Sequence, residues 1–190
     1  SNMPDFLTEC AEFFQQNTTA SILSLPNCNL KTGAKDFANS IQMNSKIGLQ
    51  YIDLSQNNIE DIVDLAKSIE YLSSPLFYLN LNDNFLNQEA TTALFRNIIE
   101  SENLHSLTHI LVNKSTIDKQ ILIDFSMHIT NLKLQNKNVL TYLDLGSIGE
   151  GSDLLFLALA DNQVPIECLK IAGSKFDQDS IDYFNIFLSN

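Results

Sequence analysis

Leucine and isoleucine recur along this chain in a fixed arrangement, at positions 1, 4, 6 and 11 of a repeated segment. The clearest copy is Leu49-Gln50-Tyr51-Ile52-Asp53-Leu54-Ser55-Gln56-Asn57-Asn58-Ile59, and Leu76-Phe77-Tyr78-Leu79-Asn80-Leu81-Asn82-Asp83-Asn84-Phe85-Leu86 follows it closely. An earlier copy holds Leu23, Leu25, Cys28 and Leu30 with Ala20 in first place; a later one holds Leu107, Ile110, Val112, Ser115 and Ile117. Two looser copies follow, one with Leu140, Leu143, Leu145 and Ile148, the other with Ile166, Leu169, Ile171, Ser174 and Phe176. First positions at 20, 49, 76, 107, 140 and 166 give spacings of 29, 27, 31, 33 and 26. Alternation of apolar and polar residues inside each copy predicts a short strand with one buried face. Between copies the apolar period becomes helical: Ala34, Phe37, Ala38 and Ile41; Ile62, Leu65, Ala66, Ile69 and Leu72; Leu122, Phe125, Ile129 and Leu132; Ile181, Phe184 and Leu188. These predict helices of three or four turns, with Asn87, Asp118 and Asp177 where N-caps are expected, and Leu154 to Ala160 as a buried helix.

A repeat of this size cannot bury its apolar face alone, so neighbouring copies must stack. The Asn or Cys at position 9 (Cys28, Asn57, Asn84, with Ser115 and Ser174 as weaker substitutes) is placed to bond turn carbonyls that stacking would otherwise bury unpaired. A leucine pattern with a helix in every period resembles the ribonuclease-inhibitor-like class of leucine-rich repeats, from about Ala20 to Leu188. The resemblance implies an α/β solenoid, a horseshoe with parallel strands on the concave face and helices on the convex face. It also implies protein binding through the concave face. On this reading residues 1–3 are a tag-removal remnant and start, 4–19 an N-terminal capping helix, and 20–190 about six repeats in one domain. The capping helix, Pro4 to Asn17, would carry Phe6, Leu7, Cys10, Phe13 and Phe14 on one side. At the other end Tyr183, Ile186 and Phe187 are left over from the predicted apolar face. The last helix therefore lies deep, or the C-terminal edge near Ile171 makes a contact with a second copy or a partner.

Charge narrows the partner. Eleven Lys and Arg stand against 23 Asp and Glu, a net charge of −12 with no basic cluster. Phosphate backbones are bound by Lys and Arg, so nucleic acid is a poor ligand and a charge-steered partner is expected to be basic. No apolar run reaches the ~18–20 residues of a membrane span, and no basic-then-apolar leader opens the chain. The expected location is the cytoplasm, or a host cell reached without a leader peptide of the usual kind. Three cysteines, Cys10, Cys28 and Cys168, are odd in number and widely spaced, which favours reduced thiols over a disulfide framework or a zinc site. No cofactor is expected. Asn17-Thr18-Thr19 and Asn113-Lys114-Ser115 match the glycosylation pattern by chance in an Asn-rich chain.

Positions 2, 3, 5, 7 and 8 of each copy project onto the predicted concave face. Position 3 reads Ile22, Tyr51, Tyr78, His109, Tyr142 and Cys168, so three of the five tyrosines share one column. Position 5 reads Ser24, Asp53, Asn80, Leu111, Asp144 and Lys170. With strands ~4.8 Å apart these become two ladders. Phe77 and Asp83 extend them, so the candidate partner site is Tyr51, Asp53, Phe77, Tyr78, Asn80, Asp83, His109, Tyr142 and Asp144. Tyrosine offers large contact area at low entropic cost, though it also packs well along a sheet. Catalytic sets are not expected. Arg96, the one arginine, reads as a solvated charge on a helix and not as an arginine finger. His105 and His109 are split between loop and strand, His128 reads as a partly exposed helix residue, and Gly146, Gly149 and Gly151 mark a turn that loses its regular form. The expectation is a non-catalytic protein-interaction module. Low Arg with high Asn and Ile is also the composition of bacterial effector-type repeat proteins. The alternative is a regulator of an enzyme, such as a GTPase modulator or a ubiquitin-ligase adaptor.

Overall fold

The computed structural model describes residues 3–44, 46–137 and 140–189, with backbone alone for 3–8. Six strands form one sheet in chain order: β1 (Ile22–Ser24), β2 (Tyr51–Asp53), β3 (Tyr78–Asn80), β4 (His109–Leu111), β5 (Tyr142–Asp144) and β6 (Cys168–Lys170). Every neighbouring pair is parallel. Parallel neighbours cannot be joined by a tight turn and need a crossover. Here the crossovers are α2 (Ala34–Met43), α3 (Val63–Ser68), α4 (Gln88–Glu100), α5 (Lys119–Leu134) and α6 (Ser152–Asp161); α1 (Met3–Gln16) precedes the sheet and α7 (Gln178–Ser189) follows it. The helices pack in sequence order, each on the next. The result is an α/β fold with an all-parallel six-stranded sheet in strict β–α alternation.

The core lies between strands and helices. The central residue of each of the first five strands (Leu23, Ile52, Leu79, Ile110 and Leu143) is at most 3 % exposed. Its neighbours on either side point to the opposite face, as the two-residue strand period requires. The predicted apolar faces of α2 and α5 are buried throughout. Asn87, Asp118 and Asp177 cap their helices as expected, accepting from the N–H groups of Ala90, Gln120 and Ser180 at 2.8, 2.8 and 2.9 Å.

Asn57 and Asn84 tie one turn to the next. Both are fully buried. Asn84 Nδ2 donates to the carbonyls of Leu54 and Leu81, each at 2.9 Å, and its Oδ1 accepts from the N–H groups of Asn57 and Ile59 at 3.0 and 3.1 Å. Asn57 repeats the pattern one step earlier, donating to Leu25, Leu54 and Ser55 and accepting from the N–H of Cys28. The residue before each position 9 turns the corner in the left-handed region: Asn27, Gln56, Asp83, Lys114 and Gly173, at φ 55°, 59°, 57°, 58° and 82°.

The fifth copy departs from this geometry. Its left-handed residue is Gly146, one place early, at φ 64°. The N–H of Ile148 donates to Ser174 Oγ at 2.9 Å, and the Ile148 carbonyl accepts from Lys175 N at 3.3 Å. Ile59 makes the matching bonds with Asn84 and Phe85. Ile148 therefore fills position 11, and the turn is two residues shorter than its counterparts. β5 and β6 remain in register with the rest of the sheet despite the shorter turn.

Four sequence expectations are corrected. The segment from Ile62 to Leu72 buries its predicted apolar set, but as six residues of α-helix followed by a 3₁₀ turn, Ile69–Tyr71. A 3₁₀ turn rises ~2.0 Å per residue against 1.5 Å for the α-helix, which lets a short spacing of 27 residues reach the next strand. In α1, Phe14 is buried against Phe37, but Phe13 is 55 % exposed, because Ala11 and Phe14 define the inward face. The side chains of Phe6 and Leu7 lie outside the described residues. In α7 the inward face is Ser180, Tyr183, Phe184 and Phe187, whereas Ile181 and Leu188 are 42 % and 64 % exposed. Counting from the caps Asp118 and Asp177, their counterparts in α5 are Leu122 and Ile129, each 1 % exposed because α6 lies beyond them. Finally, His128 is buried, at 7 % exposure, and not partly exposed.

Candidate functional site

The strand register brings the position-3 residues into one column: Ile22 opposite Tyr51, then Tyr78, His109, Tyr142 and Cys168 in turn. They lie on the face of the sheet turned away from the core. The four central rings form a ladder in which the two outer pairs are stacked and the middle pair is tilted. Tyr51 and Tyr78 are 4.0 Å apart with ring planes nearly parallel at 6°; Tyr78 to His109 is 5.3 Å at 37°; His109 to Tyr142 is 5.4 Å at 13°. Lys170 Nζ closes the stack, 5.3 Å above the Tyr142 ring. Aromatic pairs at such distances are worth about 0.5–1.5 kcal/mol beyond their buried area. The ring faces are thus used within the ladder, and ring edges with their polar atoms meet solvent. Phe77, 40 % exposed, stands beside Tyr78 at the start of β3.

Polar atoms of the ladder are fixed by their neighbours. Burial, with a hydrogen bond to Tyr51, pushes the Tyr78 phenol well above its usual range, so it stays protonated. The Tyr142 hydroxyl beside Lys170 raises that ammonium, which stays charged over the ring. At His109, the hydroxyl of Thr108 lies 2.9 Å from both the Phe77 carbonyl and His109 Nδ1 and ties the ring to the sheet.

The second column, Ser24, Asp53, Asn80, Leu111, Asp144 and Lys170, is likewise in register. Its carboxylates are engaged internally. Asp53 accepts from the N–H and hydroxyl of Ser55 at 2.9 and 2.7 Å and from Asn80 at 3.2 Å. Asp83 pairs with Lys114 at 2.8 Å. Asp144 does not project into solvent: it is 3 % exposed and accepts from Asn82 Nδ2 at 2.9 Å. Asn82 reaches it because apolar Leu111 stands between them in the column and offers no competing donor. Asn82 also accepts from Asn113 N, and Asn113 Oδ1 accepts from Asp83 N, both at 2.7 Å.

Seven of the nine candidate residues, Tyr51, Asp53, Tyr78, Asn80, Asp83, His109 and Tyr142, are partly exposed and Phe77 is exposed, all on or beside the outward column; Asp144 is set back below it. Asn82, Asn113 and Lys114 were not singled out from the sequence. The signal for them is Asn at position 7 in two successive copies, where Asn113-Lys114-Ser115 reads from sequence only as a chance glycosylation match. Arg96 is exposed on α4, in a groove shared with Lys67, Glu70, Glu89 and Glu100 and not with the aromatic column. Among the described residues no cluster of three or more His, Cys, Asp or Glu is arranged to hold a metal ion, and no helix is long and apolar enough to cross a membrane. No protein-family model matches the chain, and no curated protein matches its sequence.

Proposed function

We propose that this chain is a leucine-rich-repeat solenoid of the ribonuclease-inhibitor-like class, working as a non-catalytic module that binds a protein through its concave face. The observation that carries this reading is the outward column Tyr51–Tyr78–His109–Tyr142, stacked in register with Phe77 alongside. Stacking restrains the rings before any partner arrives, which lowers the ordering cost of binding. Tyrosine edges with fixed hydroxyls suit a contact that is aromatic at its centre and hydrogen-bonded at its margin. A basic partner group would meet Asp53 and Asp83 only in competition with Ser55, Asn80 and Lys114. Charge therefore tunes the contact, and the rings form its centre.

The test is capture from cell lysate by the wild type and by a Tyr51→Ala/Tyr78→Ala/Tyr142→Ala variant, followed by calorimetric titration of each captured protein. Circular dichroism checks that both forms are folded. Loss of three central aromatic contacts is expected to weaken binding at least ~100-fold, the size of one strong hot spot. A partner bound equally by both folded forms would move the site to the helices or the ends and leave the column as sheet packing alone.

A further inference from the structure

A buried histidine and a half-buried one meet away from the aromatic column. His128, on α5, is 7 % exposed, and its ring lies 4.9 Å from that of His105, which follows the 3₁₀ turn Glu102–Leu104 between α4 and β4. They share a small cavity of about 20 Å³ whose other walls are apolar, among them Ile98, Leu104, Phe125, Ile129 and Leu132. His105 Nε2 lies 3.2 Å from the Ile99 carbonyl, so that nitrogen carries the proton. Its Nδ1 is then a bare lone pair, buried and without a partner.

A second proton on His105 would sit on Nδ1, where no acceptor waits. A proton on His128 would place a charge in an apolar wall facing another imidazole. Asp124 shares an outer groove with both rings and Glu102 one with His105, but among the described residues no carboxylate hydrogen-bonds either ring. The α4 and β4 residues at the cavity are apolar, Ile98 and Ile110. On α5 itself the nearest acid is Asp124, one turn before His128, and it accepts from Gln120 at 2.9 Å. Glu102 and Lys137, of opposite charge, line the outer groove beside His105. Leu140 closes the wall before β5.

We propose that the His105–His128 pair is an acid-operated latch: protonation drives the C-terminal half of α5 off the α4–β4 connection and opens the apolar cavity between them, while the remaining repeats stay folded. Burial first, and then the neighbouring His105, lower His128 from its ordinary value to about 4. The sign follows from linkage. A histidine whose folded value is depressed binds its proton more readily when unfolded, so its contribution is intact above ~6.5 and is lost as pH falls from there toward 4.

Two readouts test the latch in the full chain. In imidazole ¹⁵N spectra of the wild type, His128 is expected to stay neutral to at least one pH unit below ~6.5, the ordinary value. Below that, a hydrophobic dye is expected to bind reversibly, with far-ultraviolet dichroism retained. In His128→Phe, or in His105→Phe if the first variant does not fold, the dye midpoint is expected to fall by about one pH unit or to merge with global acid unfolding. A His128 that titrates at its ordinary value, or a dye midpoint unchanged in a folded variant, would overturn the proposal.

Discussion

Asn84→Ala is expected to destabilise the protein by about 4 kcal/mol, more than removal of any exposed polar side chain. The substitution leaves three backbone groups unpaired, the carbonyl of Leu81 and the N–H groups of Asn57 and Ile59, while the Leu54 carbonyl loses one of two donors and keeps Asn57 Nδ2. A buried backbone group left unpaired costs about 1–3 kcal/mol, and at zero exposure Asn84 leaves water little access. For a chain of this size the melting temperature should fall by roughly 8–16 °C. Asn58→Gly, next to Asn57 but exposed, suits the left-handed φ of 55° there and loses only a bond to the exposed Asn29 side chain at 3.2 Å, so it should change stability by less than about 1 kcal/mol. Urea unfolding of the two variants decides the matter. Equal midpoints would mean that the buried asparagine is replaced by water in the turn and is no tie between repeats.

The second large effect is at Gly146, where alanine is expected to cost about 3 kcal/mol. Part is conformational: φ is 64°, and a Cβ in the left-handed region costs roughly 1–2 kcal/mol. The rest is steric, since that Cβ would lie 2.8 Å from Lys114 N and 3.0 Å from Asn113 Cα, both backbone atoms of the adjoining turn. Gly149→Ala is the matched control, with nothing within 4 Å of its added Cβ. Thermal melts should separate the two by about 6–12 °C. Coincident melts would show that the shortened turn can relax around a side chain.

These two sites also mark where the sequence could be read and where it could not. The strand columns were legible residue by residue, because an alternating pattern has a period of two and a one-residue slip would turn Leu79 outward and Tyr78 inward. The job of Asn57 and Asn84 was legible in part. Their bonds to turn carbonyls follow from position 9, but acceptance from the preceding turn depends on how closely the copies stack, and no pattern within one copy contains that distance. Asp144 was misplaced for the same reason. Its position in the column made it look outward-facing, and only Leu111 and Asn82, two strands away in their combined reach, pull it below the surface. The α7 face failed through its surroundings. An apolar residue such as Leu122 is buried by the helix beyond it, so the same position in the last helix carries the residue type without the neighbour. His128 was misjudged because periodicity treats a polar residue between Phe125 and Ile129 as facing out, whereas the wide wall of α5 against α4 and α6 leaves little of the helix in water.

The bond from Asn82 to Asp144 has a reach unlike the others. Among the described residues the other side-chain hydrogen bonds between repeats span about one period, whereas this one joins residues 62 apart and skips the copy between them. A chain of nearest-neighbour contacts, drawn out by its C-terminal end, would unspool one unit at a time with no memory of what lies ahead. With this bond in place, releasing β5 also removes the partner of a side chain in the turn after β3. The third, fourth and fifth units are thereby coupled into a block that resists traction together, and the block includes three of the four rings on which recognition is proposed to rest.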